Sequence, residues 1–203
     1  MGAVGREALT DDAVRLEPPR IPQRRQRLLR LPHAAEVKGL HILGLSEVGQ
    51  AQAAAPWHVA EWLNASAPLS LEALRGKVVA LHAFQMLCPG CVQYGLPQAQ
   101  RIHALFDPGE VAVVGLHTVF EHHAAMTPVA LRAFLHEYRI AFPVGVDAPG
   151  KHGPVPQTMQ AYRLRGTPSL LLIDREGRLR RHGYGAEEDL AVGAAIAALL
   201  AER

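Results

Sequence analysis

Cys88 and Cys91 are the only two cysteines of the chain, and Cys88-Pro89-Gly90-Cys91 sets them one helical turn apart. The residues around them limit what the pair can belong to. Val78-Val79-Ala80-Leu81-His82-Ala83-Phe84 is a short apolar run after Gly76-Lys77, with the length and valine content of a buried strand. Residues 89–106 then read as a helix with a proline in its first turn. The dithiol therefore stands where a strand hands over to a helix. A sulfur at that junction meets unpaired N–H groups and the positive end of the helix dipole, and both favour a thiolate. The thiolate is the form that attacks a disulfide. A second thiol one turn further on can attack the resulting mixed disulfide and release a reduced product. Cys88 is the expected nucleophile and Cys91 the expected resolving thiol. Pro89 presets φ where the helix begins, and Gly90 leaves the loop open to an approaching backbone.

A second reading of the same cysteines stays open. Two thiolates leave a tetrahedral zinc site two ligands short, and the chain has eleven histidines. His117 and His122 are the candidate ligands if the protein binds or delivers zinc or copper. A disulfide scaffold is excluded, since no cysteine lies elsewhere.

Composition narrows the rest. With 203 residues, 49% hydrophobic and 20% charged, the chain suits one globular domain plus an extension, and not a collagen-like, coiled-coil or disordered protein. A net charge of +2 gives no electrostatic reason to expect nucleic acid or a membrane as partner. No apolar run reaches the roughly 18–20 residues of a membrane-spanning helix. Residues 1–12 lack a basic stretch leading into an apolar core, so a cytoplasmic protein is expected. Residues 1–55 read as a partly ordered N-terminal extension, punctuated by Pro18, Pro19, Pro22 and Pro32 and carrying Arg24, Arg25, Arg27 and Arg30 on an exposed helical turn. Residues 50–55, rich in alanine, would end a short helix. Residues 56–203 form the expected main domain.

Within that domain the pattern alternates. Residues 57–63 and 111–117 read as strands, with another short one over 142–146. Leu131, Phe134, Leu135 and Tyr138 recur at helical spacing over 128–139, and residues 157–164 suggest a further helix. Ser169-Leu170-Leu171-Leu172-Ile173-Asp174 and residues 178–184, joined by Glu176-Gly177, read as a hairpin, and residues 187–202 as a closing helix. The order predicts an α/β fold whose central mixed sheet is parallel at first and antiparallel at the end, flanked by helices.

These pieces together resemble the thioredoxin-like superfamily, and within it the TlpA-like and redoxin branch of thiol–disulfide oxidoreductases. Leu71-Glu72-Ala73-Leu74-Arg75-Gly76-Lys77-Val78-Val79 is similar to that family's lead-in to its central strand. Residues 84–91 sit where the family carries its active-site loop, and Pro97 is similar to its helix-kinking proline, one residue late. Gly166-Thr167-Pro168-Ser169 resembles the segment around its cis-proline. The resemblance covers residues 56–203. It implies a thioredoxin-like fold, a cis bond at Thr167–Pro168 opposite the dithiol, and substrate held at Thr167 and Pro168. It also implies a disulfide reductase that needs no organic cofactor. Its partners would be a protein or small-molecule disulfide and an upstream electron-donating dithiol or reductase.

The departures are informative. Leu87 replaces the usual aromatic residue before the first cysteine. His82 stands where thioredoxins carry a buried carboxylate, so it is the candidate proton acceptor for Cys91, with a buried histidine bonded to a carbonyl as the plain alternative. Residues 81–88 lack the Pro and Thr of the peroxiredoxin pattern, which disfavours peroxidase chemistry. His117, Glu121, His122 and His123 follow a strand expected to end on the same sheet edge as Cys88, where open α/β sheets hold ligands, or else form a solvated loop.

Overall fold

Two of the described strands are buried from end to end, and they organise the rest of the sheet. In the computed structural model, β3 (Val78–Phe84) and β6 (Ser169–Ile173) expose no residue. They pair antiparallel at the centre of a seven-stranded sheet of order β1-β7-β6-β3-β4-β5-β2. Unbroken apolar runs suit this position, because a central strand is covered on both faces and has no solvent side to alternate toward. The other strands are β1 (Gln52–Ala53), β2 (Val59–Leu63), β4 (Val111–His117), β5 (Val144–Asp147) and β7 (Arg178–Tyr184). β3, β4 and β5 run parallel, while β6 and β7 form the expected antiparallel hairpin. The structure describes residues 44–45 and 50–202, all within a compact unit of residues 33–203. The proline-punctuated stretch and the arginine run expected over residues 18–32 lie outside the described residues.

Alternation along β3 builds two cores. Val78, Ala80 and Phe84 face one layer with α1 (Leu96–Leu105), α2 (Pro128–Glu137) and α4 (Asp189–Ala201). Val79, Leu81 and Ala83 face the other, with Leu71, Leu74 and α3 (Gln157–Ala161). His82 shares the parity of Ala80 and Phe84, so its ring belongs to the α1 side. No helix among the described residues is long and apolar enough to cross a membrane.

Helix starts follow local chemistry. Thr127 accepts a hydrogen bond from the Ala130 N–H at the start of α2, with Pro128 as the first helical residue. Asp147, buried at the end of β5, accepts from the N–H groups of Thr158 and Met159 and from the Thr118 hydroxyl. Burial raises its carboxyl above the ordinary range against the pull of these donors. One carboxylate thus joins the loop after β4 to the helix that precedes the Gly166–Pro168 turn.

One expected element is corrected. Residues 50–55 do not end a helix: Gln52 and Ala53 form β1 and pair with Leu179 and Arg178 of β7. A two-residue edge strand is specified by its partner, not by the propensity of alanine. The sheet accordingly begins ahead of residue 56.

Candidate functional site

The end of β3, the start of the helix behind it and the turn before β6 meet at Cys88. Phe84 is the last residue of β3, and Gln85-Met86-Leu87 carries the chain to Cys88. Cys88 is half-buried, whereas Cys91 is fully buried. The Cys91 N–H donates to Cys88 Sγ at 3.2 Å, and Cys88 Sγ lies 3.5 Å from the Thr167 carbonyl oxygen. One sulfur is reachable from outside and receives a helical N–H, while its partner waits underneath. Burial, followed by the neighbouring Cys88 sulfur, pushes the Cys91 thiol up to about 12, while the Thr167 hydroxyl and the Gln85 backbone N–H ease it back.

Thr167–Pro168 is the one cis peptide bond among the described residues, as the sequence led us to expect. The helix carrying the cysteines lies against this turn because it has glycine where a side chain would not fit. A Cβ on Gly90 would stand 3.3 Å from Pro168 Cδ. A Cβ on Gly95 would stand 2.9 Å from Pro168 Cβ and 2.5 Å from His82 Cε1. His82 is therefore wedged between β3 and the helix, next to Pro168. Its Nδ1 has no hydrogen-bond partner among the described residues, and burial lowers its pKa to about 4.

The late Pro97 has a structural counterpart. Residues Cys91–Gly95 form a π-helical turn, closed by the Leu96 N–H donating to the Cys91 carbonyl five residues back. A π-turn holds one residue more than an α-turn. That extra residue accommodates a proline displaced by one position, and Pro97 then falls in the first turn of α1, where its missing N–H costs little.

The histidine group does not assemble. β3 and β4 are parallel with Phe84 opposite His117, so His117 does reach the sheet edge beside the dithiol loop. Its ring, however, turns into the core and packs 5.3 Å from Phe84, and burial lowers its pKa to about 4. His122 and His123 are exposed on the following turn. Among the described residues no three of His, Cys, Asp or Glu stand close enough to hold a metal, so Cys88, Cys91, His117 and His122 do not form the zinc or copper site kept open above. Glu121 instead accepts a hydrogen bond from Gln85 at 3.2 Å.

With this geometry in view, the comparisons with known proteins point one way. The AhpC/TSA family pattern matches residues 51–182. A thioredoxin-like superfamily protein of known crystal structure is 58% identical, with 74% of this chain and 97% of that one covered and a TM-score of 0.73. A thiol-disulfide isomerase from Corynebacterium glutamicum is 49% identical, with 77% and 100% covered and a TM-score of 0.73. The chain is a thioredoxin-like thiol–disulfide oxidoreductase of the AhpC/TSA family. StoA from Bacillus subtilis, 18% identical with a TM-score of 0.56 over 70% of this chain and 96% of that one, shares the fold of this oxidoreductase. No curated protein matches it.

Sequence reasoning missed Gln85 in the oxidoreductase. This residue is 1% exposed, and its side chain bonds to Glu121 and the Phe120 N–H. A glutamine two residues past an apolar alanine gives no signal of burial, because the groups that satisfy it lie 35 and 36 residues further on.

Proposed function

We propose that this oxidoreductase reduces disulfides through Cys88 and Cys91. Cys88, as thiolate, attacks a substrate disulfide, breaks its S–S bond and expels one substrate sulfur as a thiolate. Cys91 then attacks Cys88 Sγ, closing the Cys88–Cys91 disulfide and releasing the second substrate sulfur. The observation that carries this reading is the 3.2 Å contact from the Cys91 N–H to Cys88 Sγ, with the first sulfur accessible and the second beneath it. Thr167 and Pro168 bind the substrate segment. Supporting that role, the Thr167 carbonyl is 3.5 Å from Cys88 Sγ. An extended substrate chain would lie along this turn in the manner of an added strand.

Cys91 must lose a proton before it can attack, and a thiol pushed up to about 12 does not do so unaided. His82 takes that proton. In support, its ring lies against Gly95 of the helix that carries Cys91, and its Nδ1 has no hydrogen-bond partner among the described residues.

Charge supports the reducing direction. The more a protein stabilises its reduced thiolate, the more oxidising its disulfide becomes. His82 and His117 both titrate at about 4, so at pH 7 neither offers a cation to that thiolate. A thiolate with no imidazolium beside it is stabilised less than one that has such a cation, which favours giving electrons away. Those electrons come from a partner dithiol or reductase, and the substrate is a protein or small-molecule disulfide. A disulfide reductase fits the reducing cytoplasm, and cell fractionation checks that location.

Reduction of a model disulfide by wild type and Cys88→Ser tests the assignment. The variant is expected to lose at least about 1,000-fold in rate, the scale of removing a covalent nucleophile. Equal rates would remove Cys88 from the mechanism.

A further inference from the structure

Gln85 meets the dithiol loop through its backbone and not through its side chain. Its carbonyl accepts the Cys88 N–H at 3.2 Å, and its backbone is one of the groups that draw the buried Cys91 thiol back down. The side chain is spent elsewhere. Oε1 accepts the Phe120 N–H at 3.2 Å, and Nε2 donates to Glu121 Oε1 at 3.2 Å. A buried primary amide is costly unless its donor and acceptor are both used, so these bonds fix the residue's orientation. The loop it grips is itself anchored. Thr118 donates its N–H to the Phe84 carbonyl at 3.0 Å and its hydroxyl to Asp147 at 2.9 Å. Beyond Phe84, nothing but the Gln85 side chain is seen to tie the dithiol loop to residues 118–121 among the described hydrogen bonds.

We propose that Gln85 is a positioning residue for the second half of the exchange: its side chain holds the peptide that aims Cys91 at Cys88, using the loop after β4 as the fixed point. The proposal rests on the roles given to Cys88 and Cys91 above. It assigns a task to Phe120 and Glu121, which take no part in the chemistry. Losing the two side-chain bonds leaves Cys88 exposed and still able to attack. It leaves the Gln85 peptide, which favours the anion Cys91 must become in the second step, without its anchor on residues 120–121.

The aromatic disulfide 5,5′-dithiobis(2-nitrobenzoate) separates the two steps. Cys88 breaks the reagent's S–S bond, keeps one thionitrobenzoate and releases the other as a thiolate. Cys91 then gives up its proton and bonds to Cys88, and the second thionitrobenzoate leaves with the electron pair. The dithiol is oxidised and the reagent is reduced to two thiolates, each seen by its absorbance. In Gln85→Leu, which keeps the bulk and loses both bonds, the first release should stay within about twofold and the second should slow by about tenfold.

The double variant Gln85→Glu/Glu121→Gln reverses the direction of the side-chain pair while leaving an acceptor for the Phe120 N–H. It should restore the second release to within about threefold of wild type. A merely structural role would slow both releases together and would not respond to that reversal. Glu121→Ala, at an exposed position, loses only the outer bond and should slow the second release by about threefold, which keeps the test open if Gln85→Leu fails to fold. An unchanged second release in Gln85→Leu or Glu121→Ala, equal slowing of both releases, or no recovery in the double variant would each overturn the proposal. Failure of the underlying dithiol mechanism looks different: wild type would then release no second thionitrobenzoate, or Cys88→Ser would release the first as fast as wild type.

Discussion

Lowering the pH from 7 to 4 should cost the fold about 5 kcal/mol, a third or more of the roughly 5–15 kcal/mol a typical domain has. The source is two buried imidazoles. His82 and His117 are 2% and 1% exposed, and burial lowers each from the ordinary 6.5 to about 4. Between those values the unfolded chain holds both protons while the folded protein holds neither. Stability therefore rises with pH across that window and is lost as pH falls from about 6.5 to about 4, at roughly 3 kcal/mol for each ring. Asp147, whose pKa burial raises, works in the opposite sense near the bottom of the window. His182 shifts in the same direction as the two buried rings, through burial and the nearby Arg165, but its residue is exposed, so its share is small. Urea unfolding at a series of pH values measures the slope. His117→Phe, which keeps an aromatic ring beside Phe84, should remove about half of it. A flat stability profile between pH 6.5 and 4 would mean that neither ring is held uncharged by the core.

Gly95→Ala should damage the protein at a position where helix propensity alone predicts improvement. Gly95 has helical dihedrals, φ −64° and ψ −55°, and alanine in an open helix would gain about 1 kcal/mol. Its Cβ, however, would stand 2.5 Å from His82 Cε1, 3.0 Å from His82 Nε2 and 2.9 Å from Pro168 Cβ. Those neighbours are a ring wedged against the sheet and a turn fixed to β7 by the Gly185 N–H donating to the Pro168 carbonyl at 2.9 Å. Neither is the free end of a flexible chain. Overpacking of this kind costs about 1–3 kcal/mol, which outweighs the propensity gain. The displaced His82 and Pro168 should also slow disulfide reduction by about tenfold or more. Gly193→Ala, in α4 with nothing within 4 Å of its Cβ, is the contrast and should stabilise by about 0.5–1 kcal/mol. If Gly95→Ala were as stable and as active as Gly193→Ala, the helix would not rest on His82.

The reading of the sequence succeeded where a residue's own chemistry decides its place. Val78–Phe84 and Ser169–Ile173 are legible as strands because burial on both faces demands unbroken apolar runs. The cysteines are legible at a strand–helix junction because Pro89 and Gly90 mark the change. It failed where the partner decides. Ala53 is a strand only because Arg178 lies opposite it. His117 sits at the expected sheet edge, yet residue order cannot say that its ring would turn toward Phe84 and away from His122. Gln85 looks like a surface residue until the loop carrying Phe120 and Glu121 folds over it. The π-turn left one trace in the sequence, a proline one position late, which becomes intelligible once Leu96 is seen to bond back to Cys91.

The central claim is that Cys88 makes the first bond to substrate sulfur and Cys91 breaks it. Intact-mass analysis of Cys91→Ser after exposure to a disulfide substrate tests this most directly. The account predicts a stable adduct of one substrate sulfur moiety on Cys88, released by added thiol and absent from wild type under the same conditions. A Cys91→Ser protein that turns over substrate without accumulating that adduct would contradict it.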